Sequence, residues 1–368
     1  MLSRPLNKMK KNLKQGLSLF LLALSLILSS CGKDVIIPVP TGVDDNEIAM
    51  VKVSLSMGHL HGRKNYHFVP SGGKYVHRNI YDIQEFTFVR SGKSWVLRQD
   101  AKHPYWDLIA YMTHDYGGGS ADAPDYGVKI LLFNAKGDTL NTEYTSEANR
   151  SHYQFFFYPT EAKGFEGAQV ELNPTDPTNI LKYVYCDTNV WNGSATKSPV
   201  GPDGKNLYTF LPDTEPIGIK GYLQFPTISQ FNLNITLWHS PKGKLQSGKA
   251  SPFYAPNDAV KAGRQLLHLK LPISVYADKE DFQDDIVMRM QADYDRRVQE
   301  AKEAGKSEEE LKKITFLPIP LKDLPSGHQV IARRLMSLLG TQDWESIAMD
   351  FYRYFSSYEH NNDPEGYF

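Results

Sequence analysis

Hydrophobic and polar residues alternate along much of the chain. Over residues 48–57 the odd positions Val51, Val53, Leu55 and Met57 are apolar, and the even positions Lys52, Ser54 and Ser56 are polar. Phe231, Leu233, Ile235 and Leu237 alternate in the same way with Asn232, Asn234 and Thr236. A period of two is that of a strand with one buried face. Shorter runs rich in Val, Ile, Phe and Tyr, bounded by Gly, Pro, Asn or Asp, predict further strands at 83–90, 94–98, 128–133, 153–158, 181–186, 221–225 and 266–275. The stretch Asn134-Ala-Lys-Gly-Asp138 reads as a turn between two such runs.

The period changes after residue 278. Residues 280–313 hold 11 acids in 34 positions and read as a solvated helix broken at Gly305, with Ser307 and Glu310 spaced as a capping box. Residues 329–339 and 343–358 are also predicted helical. In the second, Trp344, Ile347, Ala348, Phe351, Phe355 and Tyr358 form one apolar stripe, which is the face a helix packs on a protein core. Helical periodicity is nearly absent before residue 278, which disfavours βα alternation and a parallel sheet. The expected fold is therefore mainly β. Two Ig-like β-sandwich domains, 47–165 and 166–277, are followed by a helical C-terminal region, 278–368.

Charge changes this picture at the N-terminus. The whole chain carries 41 Lys and Arg against 42 Asp and Glu. Five of the bases and none of the acids lie in residues 1–30, leaving 36 bases against 42 acids elsewhere. A mildly acidic body lacks the basic footprint of a nucleic-acid binder. The basic start leads into the 12-residue apolar run 17–28, LSLFLLALSLIL. That run is shorter than the ~20 residues needed to span a bilayer and fits the apolar part of a signal peptide. It closes on Leu28-Ser29-Ser30-Cys31, which resembles the lipobox of bacterial lipoproteins. The resemblance implies a signal peptide over 1–30, lipidation of Cys31 and attachment to the outer membrane. Lys33-Asp34 resembles a surface-export tag, which places the protein at the cell surface in preference to the periplasmic face. Residues 31–46, with two Pro and three Asp, form a tether. With Cys31 acylated, Cys186 has no cysteine to pair with and is expected as a small buried hydrophobe.

One cluster carries candidate chemistry. Four of the eleven histidines, His59, His61, His67 and His77, fall within 19 residues. His59 and His61 continue the odd-numbered row of the first strand, which places them on one face, roughly 6–7 Å apart along the chain. Gly58 and Gly62 flank the pair, and His67 follows a short turn that can fold it back as a third donor. Three imidazoles with an open position suit zinc or copper. Met57 offers a thioether to copper, and His114 and Asp115 are further candidate ligands. Gly58-His-Leu-His-Gly62 resembles the closing motif of calcineurin-like metallophosphoesterases, but their other two motifs are missing. A Gly-x-Ser-x-Gly elbow, a His-Glu-x-x-His pair and a phosphate loop are also missing.

The sequence therefore predicts a non-enzymatic lipoprotein of the cell envelope. It would bind a transition metal, or a metal-containing nutrient, through the histidine cluster and feed an outer-membrane transporter. The alternatives are a glycan-binding surface lipoprotein using aromatics such as Trp95, Tyr105, Trp106 and Trp191, and an adhesin or structural component without a small ligand. A metal-dependent hydrolase stands behind these.

Overall fold

The computed structural model describes residues 48–61, 65–68, 83–98, 107–113, 125–189, 191, 201–205 and 207–357. The strands are β1 (Met50–His61), β2 (Asn65–Phe68), β3 (Gln84–Ser91), β4 (Ser94–Arg98), β5 (Leu108–Met112) and β6 (Asp125–Phe133), then β7 (Tyr153–Lys163), β8 (Lys182–Tyr185), β9 (Lys220–Gln224), β10 (Ser229–His239) and β11 (Arg264–Asp278). Helices α1 (Asn141–Thr145) and α2 (Asp258–Lys261) lie between strands. Helices α3 (Asp285–Glu303), α4 (Glu308–Leu311), α5 (Ser326–Leu338) and α6 (Trp344–Ser357) follow them.

The strands form two sheets. One runs β4-β3-β1-β6-β9-β8, with β2 added to β1, and the other runs β5-β11-β10-β7. The alternation in the sequence is the cause of their packing. Val51, Val53 and Leu55 of β1 and Leu233, Ile235 and Leu237 of β10 are fully buried and belong to the same hydrophobic core. The sheets are mainly antiparallel, and β5 is the exception, lying parallel to β11. The protein is thus mainly β with a helical C-terminal part. The arrangement differs from two consecutive sandwiches divided at residue 165. Both sheets take strands from both sides of that position, and the described residues belong to one compact unit. Alternation marks where strands occur and carries no information on which strands pair, so the long connections before β8 and β9 read as a domain boundary although they return to β6.

The C-terminal helices pack on the same core. The stretch Lys279–Asp284 turns the end of β11 into α3 and buries Phe282, whose ring lies 6.3 Å from Trp344 and 5.8 Å from Phe351 of α6. Trp344, Ile347, Ala348 and Phe351 are all buried, as the stripe predicted. Arg334 of α5 donates to the Tyr276 carbonyl at 2.6 Å, and its guanidinium lies 4.1 Å over the Phe165 ring. Ser307 and Glu310 form the predicted capping box, and Gly305 takes φ +72° where the charged helix ends.

Two buried ions tie the connections to the sheets. Asp187, after β8, is sealed from solvent and accepts the N–H groups of Ile217, Gly218, Ile219 and Lys220 at 3.0, 2.7, 2.9 and 3.1 Å. Gly218 has φ +93°, and a Cβ there would stand 2.8 Å from the Phe155 Cβ, so only glycine lets the chain pass. The Lys244 ammonium, also buried, donates to the carbonyls of Arg150, Tyr153 and Pro216. Burial pushes the Asp187 carboxyl up from its ordinary range, against the pull of its N–H donors and of Lys244. Burial draws the Lys244 ammonium down to about 7, against the attraction of Asp187. Cys186 is buried on the outer face of the larger sheet beside Tyr222, in the small-hydrophobe role expected of it.

Asp187→Asn replaces one acceptor oxygen with an amide donor and leaves buried N–H groups unpaired. It should cost about 2–5 kcal/mol of stability, and Lys244→Met, which leaves buried carbonyls without their donor, a similar amount of about 2–5 kcal/mol. Urea unfolding at neutral pH checks both, and midpoints equal to wild type would show that these ions do not hold the connections.

Candidate metal centre at the end of the first strand

β1 is paired on both sides for most of its length. Met50–Leu55 lie against β3, and Met50–Gly58 lie against β6. The β6 ladder ends at Gly58↔Asp125, and β1 runs on to His61 with β2 as its partner. The result is a two-stranded ribbon at the end of the larger sheet. Its antiparallel register sets His59 directly opposite His67, Leu60 opposite Tyr66 and His61 opposite Asn65. Directly opposite residues share a face of an antiparallel pair, with Cβ atoms about 4.5–5.5 Å apart, and diagonal neighbours lie about 7–8 Å apart. The backbone therefore brings the positions of His59, His61 and His67 together, in the fold-back arrangement expected from the sequence.

The end of β5 reaches the same end of the protein. The Tyr111 N–H donates to the Tyr126 hydroxyl at 2.7 Å, and Tyr126 is the register partner of Met57. The Thr113 N–H donates to the Phe225 carbonyl at 2.9 Å. Thr113 is covalently followed by His114 and Asp115. Tyr111 itself donates to the Gln283 side-chain oxygen at 2.7 Å, so the start of the helical region is anchored here too.

The remaining expected site residues divide as follows. Met57 is buried in the hydrophobic core, where its thioether packs against apolar neighbours. Cys31, His77, His114 and Asp115 lie outside the described residues, as do the side chains of His59, His61 and His67. Among the described residues, no group of three or more His, Cys, Asp or Glu side chains is placed to hold a metal ion. No helix among them is long and apolar enough to cross a membrane. Of the aromatics considered for sugar stacking, Trp95 and Trp191 are half-buried and packed on the core, while Tyr105 and Trp106 lie outside the described residues. His239, which ends the apolar row of β10, stacks on Tyr153 at 4.6 Å, and its register partners are Tyr153 and Arg264. Those residues sit at the start of β7 and β11, at the opposite end of the protein from the histidine ribbon.

Sequence reasoning missed β2, which completes the ribbon. Its four residues, NYHF, show no apolar alternation, and the only signal for it is that His67 follows a short turn. No family model, curated protein or solved structure matches this chain.

The register is directly testable. A His59→Cys/His67→Cys pair should cross-link on mild oxidation of the full chain, because directly opposite Cα atoms lie about 4.5–5.5 Å apart, inside the disulfide range of about 4.4–6.8 Å. A His61→Cys/His67→Cys pair, displaced by two residues, should cross-link poorly. Peptide mapping by mass spectrometry reads both, and the reverse preference would show a different register.

Proposed function

We propose that this protein is a lipid-anchored protein of the bacterial cell envelope that binds a transition metal ion, or a metal-containing nutrient, as cargo. Its ligands are His59, His61 and His67, with His77, His114 and Asp115 as candidates to complete the set. The reading rests on one observation above all, the placing of His59 opposite His67 with His61 two residues further along the same strand. Neutral imidazoles bind zinc and copper alike, and three of them leave a coordination position open for exchange or for a ligand carried with the metal. The ribbon extends past the last β6 pairing, so the positions stand at an end of the protein and not in the middle of a sheet. An open position and a place at the end of the fold suit capture and release.

The anchor is proposed on the signal-like segment and the Leu28-Ser29-Ser30-Cys31 lipobox. Lys33-Asp34 favours the cell surface. An outer-membrane transporter is the natural recipient of cargo held there. No catalytic role is proposed, because no nucleophile–base pair or general-acid motif accompanies the histidines in the sequence.

Elemental analysis tests this reading. The full chain, purified untagged in detergent and without chelator, should contain near-stoichiometric zinc or copper, and a His59→Ala/His61→Ala variant should contain neither. Retained metal should leave as pH falls through about 6, where free imidazoles take up protons and lose the lone pair that binds. Absence of metal from the wild type, even after loading with Zn²⁺ and Cu²⁺, would remove the proposal.

A further inference from the structure

β8 ends the strand order of the larger sheet, and part of its outer edge is open. The Cys186 N–H donates to the Lys220 carbonyl at 2.9 Å, which sets the phase of the β8–β9 ladder. In an antiparallel pair, hydrogen-bonded positions alternate with non-bonded ones. Lys182, Val184 and Cys186 therefore turn their backbone groups toward β9, and Tyr183, Tyr185 and Asp187 turn theirs away from it. Residues 209–211 use the far end of that edge. The Leu211 N–H donates to the Asp187 carbonyl at 2.8 Å, the Asn189 N–H donates to the Thr209 carbonyl at 2.9 Å, and Thr188 lies opposite Phe210. The chain then leaves the edge in a turn that the Glu215 N–H closes on the Pro212 carbonyl at 2.8 Å. The backbone N–H and C=O groups of Tyr183 and Tyr185 form no hydrogen bond among the described residues.

This open edge lies on a recess. Tyr183, Val184 and Tyr185 line one cavity of about 270 Å³ together with Pro212, Pro216 and Phe253. Successive side chains of a strand point to opposite faces, so three residues in a row border one cavity along the strand's edge. The other wall is the cover of β7, whose Phe155 and Phe157 N–H groups donate to the Ile217 and Phe253 carbonyls at 2.6 and 2.8 Å. The Gln154 amide ties the walls together, donating to the Tyr185 hydroxyl at 3.1 Å and to the Ser251 carbonyl at 3.3 Å. The bonds from Asp187 to residues 217–220 hold the segment that follows Pro216. The recess is thus built before anything enters it, which lowers the entropy lost on binding.

We infer that an extended peptide segment of a partner protein adds to β8 along Tyr183–Tyr185 and seats one large apolar side chain in the adjoining cavity. A strand edge recognises main chain, and the pockets beside it select side chains. The segment continues the line of residues 209–211. Its N–H groups meet the carbonyls of Tyr183 and Tyr185, and its own carbonyls accept their N–H groups. A second copy of this chain does not meet the same need. Its β8 edge is set back behind the same walls, so two such edges cannot reach each other, whereas a single extended segment enters the recess. The inference does not depend on the metal centre.

Hydrogen exchange at residue resolution on the detergent-solubilised full chain tests the open edge. The Tyr183 and Tyr185 amides should exchange about tenfold faster than the Val184 amide, which bonds to β9, the factor expected for one backbone hydrogen bond. A random decapeptide library displayed on phage is then selected on the immobilised full chain, and synthetic copies of the selected peptides are titrated by fluorescence polarisation. The bound peptides should slow exchange at Tyr183 and Tyr185. N-methylation should weaken binding about tenfold at alternate peptide residues and little at those between, because every second N–H faces β8. Phe253→Ala should weaken binding about tenfold by removing apolar surface from the cavity. His59→Ala/His61→Ala should leave it unchanged, which separates this edge from the metal reading. Equal protection of Tyr183, Val184 and Tyr185 in the free chain, enrichment of no peptide, an N-methyl pattern without alternation, or unaltered affinity in a folded Phe253→Ala variant would each overturn the inference. So would protection of Tyr183 and Tyr185 that rises with the concentration of the chain alone, which would make a second copy the occupant. Thermal melting checks that Phe253→Ala is folded, and the exchange and N-methyl patterns on the wild-type chain decide if it is not.

Discussion

A carboxylate sealed inside the protein holds four consecutive backbone N–H groups, and the joining of the two sheets depends on it. Asp187 fixes residues 217–220 where the chain enters β9, and Lys244 gathers three carbonyls from the start of β7 and the segment before Gly218. The chain between β8 and β9 is long and irregular, so it has no ladder of its own to satisfy its polar groups. A buried amide without a partner costs about 1–3 kcal/mol. The two ions meet that requirement for the segment as a whole. They also stand between strands of both sheets, so the same bonds that make the connection tolerable hold β7 near β8 and β9.

The rest of the fold follows from rows of apolar residues that continue from strand to strand. Their ends matter as much as their middles. At one end of the protein the first strand outruns its neighbour and continues as a histidine-bearing ribbon. At the other, Tyr153 and His239 each terminate an apolar row. The end of a strand must meet water somewhere, and polar residues there need no special cause. The bringing of three histidine positions onto one register is what exceeds that ordinary requirement.

Much of the local structure was legible in the sequence. The nine strands marked by alternation or by short apolar runs all form, the capping box at Ser307 forms, and the stripe from Trp344 to Phe351 is buried. Two strands were not legible. β5, LIAYM, is almost wholly buried on both faces and so shows no alternation, and β2 is too short and polar to stand out. Pairing was the larger omission. The parallel contact of β5 with β11, the return of β8 and β9 to β6, and the sharing of one core by both halves are non-local facts that periodicity does not encode. The candidate sites divide along the same line. The histidine cluster is close in sequence and was visible there. Tyr183, Pro212 and Phe253 are separated by 29 and 41 residues and become neighbours only through the packing of the two sheets.

The double pairing of β1 has a mechanical consequence. The strand that follows Ile48 lies between β3 and β6 with antiparallel ladders on both sides. Tension applied to the residues before Ile48 runs along the axis of β1. It loads both ladders in shear, where many hydrogen bonds must fail together, and not in peeling, where they fail one at a time. A chain pulled from the segment before Ile48 would meet the load at its strongest geometry, where two ladders share it.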